Sequence, residues 1–275
     1  MDALVTGTTL AIIFGFGAAI GSFLNVIIYR LPQHLSFVRP PSRCPRCHTR
    51  LRPYDNIPVL GWLLLRGCCR YCRAPISPRY PVVEAATGLL FVATFWQFGV
   101  SGLTLGYWTL LSWLLALALI DLDTLTLPNA LTQPGLVVGL SFAFGRSWLT
   151  SGTLTDSLRG LVAAIAAATL GLWLFEAIAW LGSLAFGRTA MGAGDAKLAA
   201  MLGAWLGLRQ LLLISFLACL FGALVGIGVI ALGWRSRQQP LPFGPFLALG
   251  ALISVFWGEI IIDTYLELFF SLGAG

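Results

Sequence analysis

Apolar residues fall along this chain in long, nearly unbroken runs. They occupy roughly residues 4–29, 81–98, 103–121, 129–145, 158–184, 195–208, 210–233 and 245–270. A helix needs about 20 mostly apolar residues to cross a bilayer core, and most of these runs reach or approach that length. The pattern predicts an all-α fold: a polytopic membrane bundle of about eight transmembrane helices. The sixth run is short for a span. Residues 30–80 break the pattern, being dense in polar and turn-forming residues, and the other connections are short. The expected organisation is a first transmembrane helix over 1–29, a loop domain over 30–80 and a transmembrane core over 81–275. The opening "MDALVTG" has no basic segment ahead of the first run, so that run is expected to be a retained helix and not a cleaved signal.

Composition agrees. The chain is 58% hydrophobic and 10% charged, with mean hydropathy +0.86. A soluble domain carries roughly a quarter charged residues, so this charge could not cover a soluble surface. The excess of Lys and Arg could suggest nucleic acid, but in a membrane protein loop charge sets orientation. Arg30, Arg39, Arg43, Arg46, Arg50, Arg52, Arg66, Arg70, Arg73 and Arg79 all lie in the long loop, which is therefore expected to be cytoplasmic. Threading eight spans from there leaves both termini outside. It brings Arg188, Lys197, Arg235 and Arg237 to the cytoplasmic side and leaves only Arg146, Arg159 and Arg209 outside.

That topology carries two acidic sites to one membrane face. Asp121 and Asp123, in "ALALIDLDTLTLPNALT", lie where the third span reaches the cytoplasm. Asp195, in "MGAGDAK", lies where the sixth leaves it. Ionisable groups at the hydrocarbon boundary are costly and mark function when they converge. The bland alternatives are helix-end charges reaching water, or, for Asp195, a carboxylate favoured by helix N-terminal amides. Gly192 and Gly194 permit an extended or tightly turned backbone that can approach another chain. Two carboxylates held together can share a proton, one acting as base on water and the other as acid on the scissile carbonyl or leaving amine. Such chemistry needs no serine, cysteine or metal. His34 and His48 are the only histidines, and no Gly-x-Ser-x-Gly, His-Glu-x-x-His or P-loop pattern occurs. Lys197 reads either as an interfacial lysine or as support for the site.

The loop has its own chemistry. Cys44-x-x-Cys47 and Cys69-x-x-Cys72 are two knuckles separated as a tetrahedral thiolate zinc site requires. A cytoplasmic location disfavours lasting disulfides, and a redox or metal-free pair is the alternative. Cys68 is out of phase with its knuckle, and Cys219 falls within a span as a small packing residue.

"MGAGDAK" is similar to the Gly-x-Gly-Asp motif of intramembrane aspartyl proteases. Together with "IDLDTLTLPN", "GSFLNVIIYRLP" at 21–32, the cysteine loop at 44–84 and "LPFGPFLALG" near the end, it resembles the bacterial type IV prepilin peptidases over nearly the whole chain. The resemblance implies removal of the short basic leader of type IV prepilins or pseudopilins, after a glycine, on the cytoplasmic side of the inner membrane. It also implies N-methylation of the new amino terminus with S-adenosylmethionine; no residue pattern here independently outlines a methyl-donor site. The family's catalytic aspartates fall on Asp121 and Asp195, with Asp123 as competitor to the first. A two-residue offset turns a helical side chain by about 200°, so Asp121 and Asp123 cannot both face Asp195 from one continuous helix. The competing class is a proton- or ion-coupled transporter, since acidic residues near broken helices also line ion pathways.

Overall fold

The structure is a computed structural model that describes residues 2–187, 191–233 and 240–270; Arg188, Arg235 and Arg237 lie outside these residues. Eight α-helices occur among them: α1 (Asp2–Arg30), α2 (Leu60–Leu64), α3 (Arg79–Phe98), α4 (Gly102–Thr124), α5 (Asn129–Ser151), α6 (Leu154–Phe186), α7 (Ala193–Ala231) and α8 (Gly244–Phe270). The described residues contain no β-strand, only two isolated bridges. Six helices are long and apolar enough to cross a membrane.

The eight apolar runs appear as α1, α3, α4, α5, α6, the two arms of α7, and α8. The fourth run forms α5, where Thr132, Gln133, Pro134, Ser141 and Arg146 dilute the apolar character, leaving it more polar than the other long helices. The sixth and seventh runs are two arms of α7, interrupted at Gly207 (φ 81°, ψ 175°). That conformation is reserved in practice for glycine. The helix bends sharply there. A side-chain carbon at Gly171 of α6 would touch both Ala199, before the break, and Leu211, after it. In a straight helix those residues would be about 18 Å apart.

The chain divides into two compact units, Met1–Ala116 and Leu117–Gly275, with the boundary inside α4. In the first unit α1 and α3 are close antiparallel neighbours. Gly17 and Gly21 of α1 lie so near Gly88, Phe91, Glu84 and Thr87 of α3 that any added carbon would collide. Without a hydrophobic drive between helices in lipid, small residues that let backbones approach supply the packing. Asn25 Nδ2 donates to the Tyr80 carbonyl at 3.1 Å, and Phe91 stacks on Trp108 with centroids 4.7 Å apart.

In the second unit the first arm of α7 is the core. Leu198, Met201, Leu202 and Trp205 are fully buried. Trp205 Nε1 donates to the Gly135 carbonyl of α5 at 2.8 Å, satisfying the one polar atom of a buried indole. Gly203 lies against the Ala167 carbonyl of α6. The second arm packs on α8, where Gln210 bonds Glu259 at 2.7 Å and Ser254 at 2.5 Å. This arrangement fixes the start of α7 next to the end of α4.

Candidate active site and metal centre

α4 ends at Thr124, and Leu125 turns the chain in a left-handed conformation (φ 54°) with its amide on the Asp121 carbonyl. Asp121 thus lies in the last turn of its helix and is buried; Asp123 is exposed. Asp195 is the third residue of α7, is buried, and accepts a hydrogen bond from the Gly192 amide at the helix start. This is the reach-back geometry of an acidic residue in a capping box. The Asp121 and Asp195 carboxylates line one cavity of about 420 Å³ and are close enough for their charges to interact. Residues 125–129, 192–194 and Lys197 complete its walls; Asp123 is not among them. A larger hollow of about 480 Å³ along residues 155–166 of α6 has apolar walls apart from Thr155 and Arg159 and contains no carboxylate.

The two glycines differ. Gly192 is extended (φ −76°, ψ 145°), and an added carbon would meet the Asp195 carboxylate only at 3.8 Å. Gly194 is within the helix, where an added carbon would lie 2.9 Å from Leu127 Cβ. Its bareness lets α7 abut the turn between α4 and α5. Lys197 Nζ donates to Asn129 Oδ1 at 2.7 Å across the cavity wall.

In the first unit Cys44, Cys47, Cys69 and Cys72 bring their sulfurs within 4.8 Å of one another. The knuckles repeat one design. His48 and Arg73, each just past a second cysteine, adopt positive φ (54° and 57°) and donate their amides to the Cys44 and Cys69 carbonyls at 2.9 and 3.0 Å. Hydrogen bonds from the Thr49 side chain and amide hold the Cys47 thiol down at about 6. The Cys72 and Tyr71 amides lower Cys69 in the same way. Cys44 and Cys72 sulfurs are 3.7 Å apart, and those of Cys47 and Cys69 4.0 Å. A tetrahedron with metal–sulfur arms of about 2.3 Å has edges of about 3.8 Å, so the set can close on a metal ion with shifts of about an ångström or less. Cys68 and Cys219 are outside this group.

A profile described as Bacterial Peptidase A24 N-terminal domain matches residues 15–98, and one described as Type IV leader peptidase family matches residues 108–227. A prepilin leader peptidase/N-methyltransferase of Aeromonas hydrophila is 40% identical over 284 residues, covering 94% of each chain. The proteins of that name from Stutzerimonas stutzeri and Pseudomonas aeruginosa are 39% and 38% identical over 275 residues, covering 91% of each chain. The chain belongs to the type IV leader peptidase family. No solved structure matches it. These matches give no support to a transporter.

Sequence reasoning missed four residues that build this cavity or hold its walls. Gly244, the first residue of α8, donates its amide to Asp121 Oδ2 at 2.9 Å, and an added carbon there would lie 2.8 Å from that oxygen. Phe243 beside it packs on Phe175 of α6, centroids 6.3 Å apart, which fixes the entry to α8. Leu127 and Asn129 receive Gly194 and Lys197. The "LPFGP" and "LPN" segments were visible as family motifs, but their roles depend on contacts between distant parts of the chain.

Proposed function

We propose that this protein is a bifunctional enzyme of the bacterial inner membrane. It cleaves the short basic leader from type IV prepilins or pseudopilins at the cytoplasmic face, as an aspartic endopeptidase, and methylates the exposed amino terminus using S-adenosylmethionine. The observation that carries the reading is the pairing of buried Asp121 and Asp195 in one cavity. The names of its relatives support both activities, and the arginine-rich loop supports the orientation.

Gly244 donates to Oδ2 of Asp121, and the attacking water would be held by Oδ1. One carboxylate takes a proton from that water as its oxygen attacks the scissile carbonyl carbon. The other gives its proton to the carbonyl oxygen, forming a tetrahedral diol. Collapse of the diol breaks the C–N bond; the proton taken from water passes to the leaving nitrogen, and the dyad recovers one shared proton. The substrate's apolar helix would lie in the bilayer with its leader in the cytoplasm, so the scissile bond crosses the depth of the dyad. That bond must leave its helix before attack, and a glycine before the cut makes this easier by about 1 kcal/mol relative to alanine. Gly192, Gly194 and Lys197 support the site by keeping the start of α7 in place.

Cys44, Cys47, Cys69 and Cys72 would hold one structural Zn²⁺. The ion's contribution is to fold a loop poor in apolar residues, on the order of 10 kcal/mol in isolated zinc modules, and hydrolysis does not pass through it.

The test is incubation of the purified full chain in detergent with a prepilin and S-adenosylmethionine, read by mass spectrometry. The expected product is a leaderless pilin with one added methyl at its new amino terminus. Prepilin left intact by metal-loaded, folded protein would overturn the reading.

A further inference from the structure

The loop between α1 and α3 presents apolar side chains on its surface. In α2, Gly61 is buried against the Asp55 carbonyl, and Trp62 Nε1 donates to the Ile76 carbonyl at 3.0 Å. That face binds the loop together. Leu60, Leu63 and Leu64 point away and are 57%, 55% and 77% exposed. Just past α1, Leu35, Phe37 and Val38 are exposed as well.

Both patches are tied to the same end of the α1–α3 pair. The amide of Val59, at the start of α2, donates to Glu84 Oε2 at 2.7 Å, and Glu84 is buried in α3. At 1.5 Å per residue, Glu84 lies only about 7.5 Å along α3 from Arg79, its first residue. Leu35 donates its amide to the Arg30 carbonyl at 3.0 Å, and the Arg30 guanidinium donates to the Ser36 carbonyl at 3.0 Å, folding the second patch onto the end of α1. Tyr29, Arg30, Arg79 and Tyr80 gather at this end of the antiparallel pair, the residue types that mark a membrane–water boundary. The polar layer on each side of a bilayer is roughly 5–8 Å thick, so α2 begins inside it.

The charge of the loop identifies what fits there. Residues 30–80 contain ten arginines and one acidic residue, Asp55, which is already paired with Arg70 at 2.7 Å. We propose that α2 and the turn at 35–38 are seated in the headgroup layer of an anionic bilayer, with leucines toward the acyl chains and the loop arginines on lipid phosphates. A short amphipathic segment beside clustered basic residues binds anionic membranes in this way. A basic leader peptide would be repelled, and a second copy would set arginines against arginines. The proposal rests on the spans and not on the proteolytic reading.

The experiment is hydrogen–deuterium exchange of residues 57–66 in the full chain. Nanodiscs of pure phosphatidylcholine are compared with discs containing about one-third phosphatidylglycerol. Exchange is expected to be about tenfold slower in the anionic discs, and to return toward the neutral-lipid rate in about 0.5 M salt. A variant with Leu60→Ser, Leu63→Ser and Leu64→Ser, retaining its metal, should lose the difference. Equal wild-type exchange in the two lipids would overturn the proposal, as would wild-type protection in the variant. Protection only in discs holding two copies would also overturn it, in favour of self-association.

Discussion

The Gly244 amide donates to Asp121 Oδ2 at 2.9 Å, across 123 positions of sequence. A methyl at Gly244 would lie 2.8 Å from that oxygen, closer than packed carbons come. Gly244→Ala should therefore displace either Asp121 or the start of α8. Cleavage should fall by about 10²-fold, the cost of moving a reacting group by about an ångström. Zinc content should stay normal, and steady-state prepilin cleavage checks both the direction and the size.

Asp121→Asn and Asp195→Asn keep size and polarity but cannot ionise. Each should lower cleavage by at least about 10³-fold, with the double variant little worse, because the two groups act as a unit. Asp123→Asn should cleave near the wild-type rate, since Asp123 is exposed and does not line the cavity. Full turnover by Asp121→Asn would transfer the first role to Asp123.

Gly194→Val should impair cleavage with both aspartates present, through a collision with Leu127. If Leu127 is the obstacle, Leu127→Gly, which removes the Cβ at 2.9 Å, should restore part of the rate in a Gly194→Ala background. A rate unchanged in Gly194→Val would make this glycine an ordinary helix-start residue.

Elemental analysis should find about one zinc per chain, the content of a single four-thiolate site. Cys44→Ser with Cys47→Ser should remove it, while Cys68→Ser should retain it. Full retention in the double variant would refute the ligand set.

Gly207 holds a conformation that a side chain makes costly, with no neighbour crowding it. Gly207→Ala should destabilise the folded protein by roughly 1–3 kcal/mol. The check is a lower unfolding midpoint in detergent at fixed lipid content.

How much the sequence revealed follows how local each feature is. The knuckles are contained within a few residues each, so Cys44, Cys47, Cys69 and Cys72 could be grouped from spacing, and their sulfurs converge. Apolar runs determine helices because a backbone in hydrocarbon must satisfy its own hydrogen bonds, and all eight runs were legible on that ground. The sixth and seventh runs were even separated within two residues of Gly207. Asp121 and Asp195 could be brought to one face by counting crossings, but not shown to share a cavity. The family resemblance pointed to Asp121 over Asp123, and only the end of α4 in three dimensions buries the first and exposes the second. The partners of the site were decided by tertiary structure alone. Gly244 on Asp121, Leu127 against Gly194 and Asn129 on Lys197 each join segments far apart in sequence. Such contacts depend on how α4, α5, α7 and α8 pack in three dimensions, and no periodicity along one helix encodes the identity of its neighbour.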